Sequence, residues 1–338
     1  MKGLFIAFVL FCSLYANAQT DSLNPHFLSV PSDSTYIADY TQKFTTRLFI
    51  LFQDATFLIN PENISYIEYK PNLNARVGIA GFWKWFGLGL SIENPFYKRD
   101  NDIYGKTTFI DLRVNAFGRA VAAELFFQQY KGFYISSPSK DDGTYYIRPD
   151  MKSMSLGIAA YWIYNAKRFS IRAAFIQNER QKKSAGSLIV MPSFLYYYIT
   201  SDTGIIPTPL MNEYRIPQVN QVMTGKIYSV GLSPGYNYTF VFGKYFYLTA
   251  AILPGVFWHS YSYANKTGDH LGSEFSLHLN GRFATGYNSD KWFIGGSVQI
   301  GWNEVPYALS HVFFNYDVAQ FRIWGGTRFN WFSKKKKK

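Results

Sequence analysis

Lys106–Tyr130, KTTFIDLRVNAFGRAVAAELFFQQY, is the stretch whose reading decides the fold. Thr108, Ile110, Leu112, Val114 and Ala116 alternate with Phe109, Asp111, Arg113, Asn115 and Phe117. After Gly118-Arg119 the alternation resumes, with Val121, Ala123, Leu125 and Phe127 on one face and Glu124, Phe126 and Gln128 on the other. A period of two on both sides of a tight turn predicts an antiparallel hairpin. Each arm has about ten residues, enough to cross a bilayer as a tilted strand. The apolar face carries no charge, while the other carries Asp111, Arg113 and Glu124. A soluble sheet turns such an apolar face inward, and a membrane barrel turns it out to lipid.

Composition favours the barrel. Phe, Tyr and Trp make up 20% of the 338 residues, an excess that suits aromatic girdles at membrane rims. Hydrophobic residues are 48% and mean hydropathy is −0.11, too low for a bundle of membrane helices. Beyond the N-terminal segment no run of about 18 apolar residues occurs, so any spanning signal is dispersed over alternating strands. Lys2, an apolar stretch from Gly3 to Tyr15, and the small-x-small Ala16-Asn17-Ala18 site predict a cleaved secretory signal peptide over residues 1–18. The only cysteine, Cys12, lies inside it, so the exported chain would have neither thiol nor disulfide. The net charge of +12 is scattered over turns and loops, and export removes the chain from nucleic acid.

Residues 19–42, with Asn24-Pro25 and Val30-Pro31, read as a flexible periplasmic leader, and 43–332 as the barrel. The first strand, KFTTRLFILF from Lys43, places Phe44, Leu48, Ile50 and Phe52 on one face. Ile64–Tyr69 reads as an extra strand or the top of the next one, because Pro71 interrupts it. Similar alternation follows in Leu73–Ile92, Met154–Phe175, Tyr228–Trp258, Phe275–Ile300 and Val318–Phe332. Connections at 83–84, 118–119, 165–167, 241–244 and 288–291 read as short, and those at 53–63, 94–105, 131–153, 259–271 and 303–317 as long. Alternating short and long connections are expected of periplasmic turns and external loops. The expected fold is therefore all-β, a transmembrane antiparallel up-and-down barrel of twelve strands with both ends in the periplasm. Residues 180–225, including Ser187–Tyr198, read as an external excursion, and fourteen strands is the alternative.

The stretch at 168–187, RFSIRAAFIQNERQKKSAGS, resembles an uncharacterised group of bacterial outer-membrane barrels, domain-of-unknown-function family 4421. Tyr69-Lys70-Pro71-Asn72, Trp85–Leu90, Gln129–Tyr134, Arg148–Ser153 and Gly281–Asn288 carry the same resemblance, which runs from about Asp33 to Phe332. It implies an exported outer-membrane barrel and assigns no catalytic residue. The tail Lys334–Lys338 departs from the aromatic ending common among such barrels and reads as solvated.

The face opposite the apolar one gathers Arg76, Glu93, Asp111, Arg113, Glu124, Gln128, Arg172, Glu274, His278, Arg282, Arg322 and Arg328. These are the expected lumen residues. Either they form a network of ion pairs that fills the barrel, or they line an arginine-rich constriction that favours anions. The expected function is a structural barrel or a narrow passive channel, the alternative being surface binding through the long loops. A membrane-embedded hydrolase is the least favoured. His259 and Ser260 are adjacent in a strand and point to opposite faces, the Asp100/Asp102 pair lies in a loop, and Asp141-Asp142-Gly143 reads as a turn. Five histidines give no metal cluster, and no cofactor is implied. Expected partners are outer-membrane lipid, lipopolysaccharide and the barrel insertion machinery. Lys131, Lys140, Arg148, Lys152, Arg180, Lys182 and Lys183 are expected on the external side, where loop carboxylates or lipopolysaccharide phosphates would meet them.

Overall fold

A computed structural model describes residues 30–60, 66–96, 100–140, 142–213, 221–265, 268–309 and 312–330. The expected signal peptide and the lysine tail lie outside the described residues. Fifteen strands follow one another: β1 (Ile37–Asp39), β2 (Phe44–Asn60), β3 (Ile67–Lys70), β4 (Arg76–Trp83), β5 (Phe86–Glu93), β6 (Thr108–Phe117), β7 (Val121–Ser137), β8 (Tyr146–Ile163), β9 (Glu179–Gln181), β10 (Ala185–Thr200), β11 (Thr224–Phe242), β12 (Phe246–Asn265), β13 (Gly268–Asn288), β14 (Trp292–Leu309) and β15 (Val312–Phe329). Among the described residues three short helices interrupt them: α1 (Asn101–Tyr104), α2 (Ile171–Phe175) and α3 (Thr208–Glu213).

Twelve of the strands close a barrel in chain order, because β15 returns to pair with β2 and β6 pairs with β7. All pairings are antiparallel and the ring closes on itself, although β5 and β6 pair over only four positions and the outer half of β13, Gly268–Leu277, pairs with β12 alone. The opening hairpin is β6–β7, with Ala116 opposite Ala123 and Phe117 opposite Ala122. Exposure follows the period of two: along β12, Ala251 is 2% exposed, Ile252 57% and Leu253 1%. The outward side chains are apolar on every part of the wall, among them Leu48, Leu90, Leu112, Val230, Leu279 and Ile323. That inside-out polarity belongs to a barrel in lipid. At the end of the short turns the belt finishes in exposed Trp85, Trp162, Tyr164, Phe246 and Trp292, an aromatic girdle.

Two segments depart from the sequence reading while the count of twelve stands. Residues 169–175, expected as a strand, hold the helix α2 from Ile171 to Phe175, and Ala185–Thr200, expected outside, is the spanning strand β10. Alternation misleads here because a plug helix buried on all sides is as apolar as a strand: Ile171, Arg172, Ala173 and Ala174 are all buried. The chain between β8 and β10 therefore lies at the periplasmic end. Arg180, Lys182 and Lys183 belong to that end as well, not to the external side.

The leader is also tied down where it is described. Ile37–Asp39 pair with Glu179–Gln181, and Ile37 and Tyr40 are buried. The Tyr40 hydroxyl donates to Asp290 in the β13–β14 turn and holds that carboxyl below its ordinary range. On the external side the long loops are shorter than expected, because β7, β8 and β11–β15 run on past the membrane belt. Strands of 17 to 21 residues exceed the about 9–11 needed to span. β4 and β5, with eight residues each, stop at the belt. Above them β3 bridges directly from β2 to β7 and narrows the mouth.

Candidate functional site

The lumen has three levels. At the periplasmic level, residues 164–184 fold into the barrel. Ser170 caps α2 by accepting from the Ala173 amide at 3.0 Å, and the chain reverses at Gln177, whose φ of 63° is left-handed. Such a backbone costs of order 1–3 kcal/mol and persists only where its surroundings fix it. Here the Gln177 carbonyl accepts from Arg328, and its buried amide donates to the Ala174 carbonyl. Arg47 donates to the Phe175 carbonyl at 2.8 Å, Tyr247 to the Ala174 carbonyl at 3.1 Å, and Asn288 to the carbonyls of Ala173 and Glu179 at 3.1 and 3.0 Å. Glu179 is the centre of the plug: its carboxylate takes Arg172 and Arg119, each at 3.0 Å, and the Ser170 hydroxyl. Arg172 also donates to the carbonyls of Phe117 and Gly118 in the β6–β7 turn.

The middle level holds two ion-pair clusters. In one, Asp111 accepts from Arg76 at 2.6 Å, Arg113 at 3.1 Å and Gln128 at 3.1 Å. Gln53 and Gln320 take further donors from Arg113 at 3.3 and 3.2 Å. In the other, Glu124 receives Arg282 through both guanidinium nitrogens, at 3.2 and 2.8 Å, and the Tyr161 hydroxyl at 2.7 Å. The bidentate geometry is the strong, orienting form of the pair. Between the clusters lie cavities of about 40, 60 and 220 Å³, with Arg322 on the wall of all three.

The external level is apolar. Phe57, Ile67, Tyr69, Phe133, Ile135, Met151, Tyr197, Ile227 and Tyr261 form one buried cluster across the mouth, and Ile205 and Leu210 of the β10–β11 connection fill its centre. Phe57 and Tyr69 stack with ring centroids 4.4 Å apart. The connection is clamped by Arg148, which donates to the Ile205 carbonyl and the Ser201 hydroxyl, each at 2.6 Å, while pairing with Asp150 at 3.1 Å. Tyr69 adds a bond to the Ile205 carbonyl at 2.7 Å. Arg148, read as an external cation, is thus a buried clamp.

Of the expected lumen residues, Arg76, Asp111, Arg113, Glu124, Gln128 and Arg282 meet in the two clusters, and Arg322 and Arg328 share their lumen. Arg172 is in the lumen but on the plug, not on the wall. Glu93 is exposed at the top of β5, and Glu274 stands on the projecting half of β13; neither joins the network. His278 is buried against the Phe257 ring, centroids 3.9 Å apart, above both clusters. Arg47, Gln53, Tyr161, Glu179 and Gln320 were not among the expected residues. Parity marks Arg47 and Tyr161, since each alternates with the apolar face of its strand.

His259 is wholly buried between the hydroxyls of Ser229 and Ser276, 2.7 Å from each, with Ser260 on the other face. Asp100 caps α1, accepting from the Asp102 and Ile103 amides. Asp142 accepts from Thr144 in a turn, which holds its carboxyl below its ordinary range; Asp141 lies outside the described residues. Among the described residues no group of three or more His, Cys, Asp or Glu side chains is placed to hold a metal.

A closed antiparallel barrel with an apolar outer belt, an aromatic rim and a charged interior defines an outer-membrane-type β-barrel. The chain belongs to the family described as Domain of unknown function (DUF4421), whose model matches residues 31–322. No curated protein matches it. Among solved structures it is similar to the outer membrane protease OmpT from Escherichia coli, with 7% identity, 86% of this chain and 98% of that one covered, and a TM-score of 0.38. The translocator domain of the autotransporter NalP from Neisseria meningitidis gives 11% identity, 84% and 88% coverage and a TM-score of 0.35. The toluene transporter TodX of P. putida gives 10%, 92% and 95%, and 0.30.

Proposed function

We propose that this is a sealed, non-conducting outer-membrane barrel that acts through its external rim. The observation that carries the reading is closure at both ends. The Glu179-centred plug fills the periplasmic end, and the apolar cluster with its Arg148-clamped connection fills the mouth. The tall wall of β7–β8 and β10–β15 then offers the external face on which a partner would bind, replacing the passive channel as the favoured role.

The rim also supports lipopolysaccharide as the surrounding lipid. Lys131 of β7 and Lys152 of β8 are direct cross-strand partners, both exposed on the outer face above the apolar belt. Lys226 stands on β11 opposite Tyr198, one step from that level. Like charges directly opposed in a sheet repel, and among the described residues none of the three lysines has an ion-pair partner. A phosphate-bearing leaflet supplies the missing anions. The expected result is that purified wild-type protein binds lipopolysaccharide vesicles severalfold more tightly than K131Q/K152Q, with the difference vanishing for vesicles of dephosphorylated lipopolysaccharide. Equal binding by wild type and variant would sink this part of the reading.

A further inference from the structure

The charges that face the lumen do not balance. Across its wall, among the described residues, they are Arg47, Arg76, Arg113, Arg282, Arg322 and Arg328 against Asp111 and Glu124, six positive and two negative. Asp111 is shared by Arg76 and Arg113, and Glu124 is taken by Arg282. Arg328 and Arg47 spend their donors on neutral acceptors of the plug and the β13–β14 turn: the Gln177 and Ser289 carbonyls and the Asn288 side chain for the first, the Phe175 carbonyl and the Gln177 side chain for the second. Glu179 of the plug does not make up the difference, since it already faces both Arg172 and Arg119.

Arg322 is left without a carboxylate among the described residues. Its Nε is buried and has no hydrogen-bond partner. Its guanidinium lies 5.2 Å from the centroid of the Phe49 ring, and that of Arg47 lies 5.8 Å from the same ring. Two cations are thus gathered on one aromatic side chain, with Arg113 and Arg282 on the walls of the adjoining cavities. Gathering like charges in a partly buried interior is costly unless a counter-ion enters with them.

We infer that the cavity walled by Arg113, Arg282 and Arg322 is a binding site for a small oxyanion of the phosphate or sulfate class. The guanidinium fork matches the paired oxygens of such an ion, and Gln299, Gln320 and Asn280 line the same space as neutral donors; the one carboxylate on its wall, Glu124, is held by Arg282. The volume fits this class. A cavity of 220 Å³ holds roughly seven waters at about 30 Å³ each, room for one hydrated oxyanion and too little for an acyl chain. The site goes beyond the sealed-barrel reading: a structural anion locks the ion-pair clusters from within, whatever the rim recognises.

The test uses the full exported chain refolded in detergent, with inorganic phosphate or sulfate as the probe against chloride at equal ionic strength. Tryptophan fluorescence follows the unfolding midpoint. Wild type is expected to show a saturable rise in midpoint with phosphate. Arg322→Met should unfold at a higher temperature than wild type in chloride, because it removes the uncompensated charge, and should lose the phosphate-dependent rise. Arg322→Lys keeps the charge without the fork and should retain only part of it; it serves as well if the methionine variant does not fold. A wild-type midpoint indifferent to the anion would overturn the site, and so would a full phosphate rise in both variants.

Discussion

Ile252→Arg is expected to destabilise the barrel in lipid vesicles by about 2–4 kcal/mol, the cost of an arginine at the bilayer midplane on the lipid face of a barrel. Ile252 stands in the middle of β12, more than half exposed, with Ala251 and Leu253 on either side turned inward and buried. In a water-soluble sandwich the same exposed position would accept arginine within about 0.5 kcal/mol, since surface substitutions are mostly that mild. The two folds therefore differ in both size and context. Denaturant titration in vesicles measures the effect, and a neutral result would place the apolar face in water and reverse the fold assignment.

Glu179→Ala carries the second large effect. The carboxylate is 1% exposed and is the one acceptor that Arg119 and Arg172 share inside the plug. Removing it leaves Arg172 without a carboxylate and Arg119 with only the exposed Asp39, 3.3 Å away. Breaking a buried ion pair from one side costs about 3–5 kcal/mol, because the surviving charge is desolvated and unpaired. The loss should appear as a lower denaturant midpoint and as faster amide exchange confined to residues 164–184. Glu179→Gln, which keeps an acceptor for Ser170, should lose less. Exchange rates in this segment that match wild type would show that the plug is held without Glu179.

How much of this was legible in the sequence follows from the physics of each part. The wall was readable because lipid on one side and polar contacts on the other impose a period of two, as in Leu48, Ile50 and Phe52 against Arg47 and Gln53. The lumen pairs were readable only as a list: parity puts Asp111, Arg113 and Glu124 inside, but which arginine each meets depends on register and tilt. Arg282 reaches Glu124 from a strand 158 residues further along the chain. The plug was misread for a physical reason. Ile171, Ala173 and Phe175 alternate as a strand does, and a five-residue helix is too short to show a helical period. Length of the external loops was misjudged because strands such as β12 and β13 continue past the membrane, where exposed Leu271 and Phe275 keep the alternation going.

Four of the six stretches that carry the family resemblance lie at the seals, while Trp85–Leu90 and Gly281–Asn288 run along the wall strands β5 and β13. RFSIRAAFIQNERQKKSAGS is the plug from Arg168 to the start of β10. Tyr69 and Asn72 belong to the strap across the mouth, where Asn72 donates to the Gly105 carbonyl at 2.6 Å. Arg148 and Asp150 clamp the β10–β11 connection. Gly132, within QYKGFY, takes a φ of 91° at the bulge where β7 leaves its register with β8, and a Cβ there would run into the Lys106 carbonyl. Most of these stretches thus lie where the barrel is closed, in keeping with the proposed role of closure.

Single-channel recording of the full exported chain in a planar bilayer tests that closure most directly. The account predicts a folded, heat-modifiable barrel that passes no steady current in wild type. A sustained, anion-selective current in wild type, reduced by Arg113→Ala or Arg282→Ala, would contradict it and restore the arginine-lined pore.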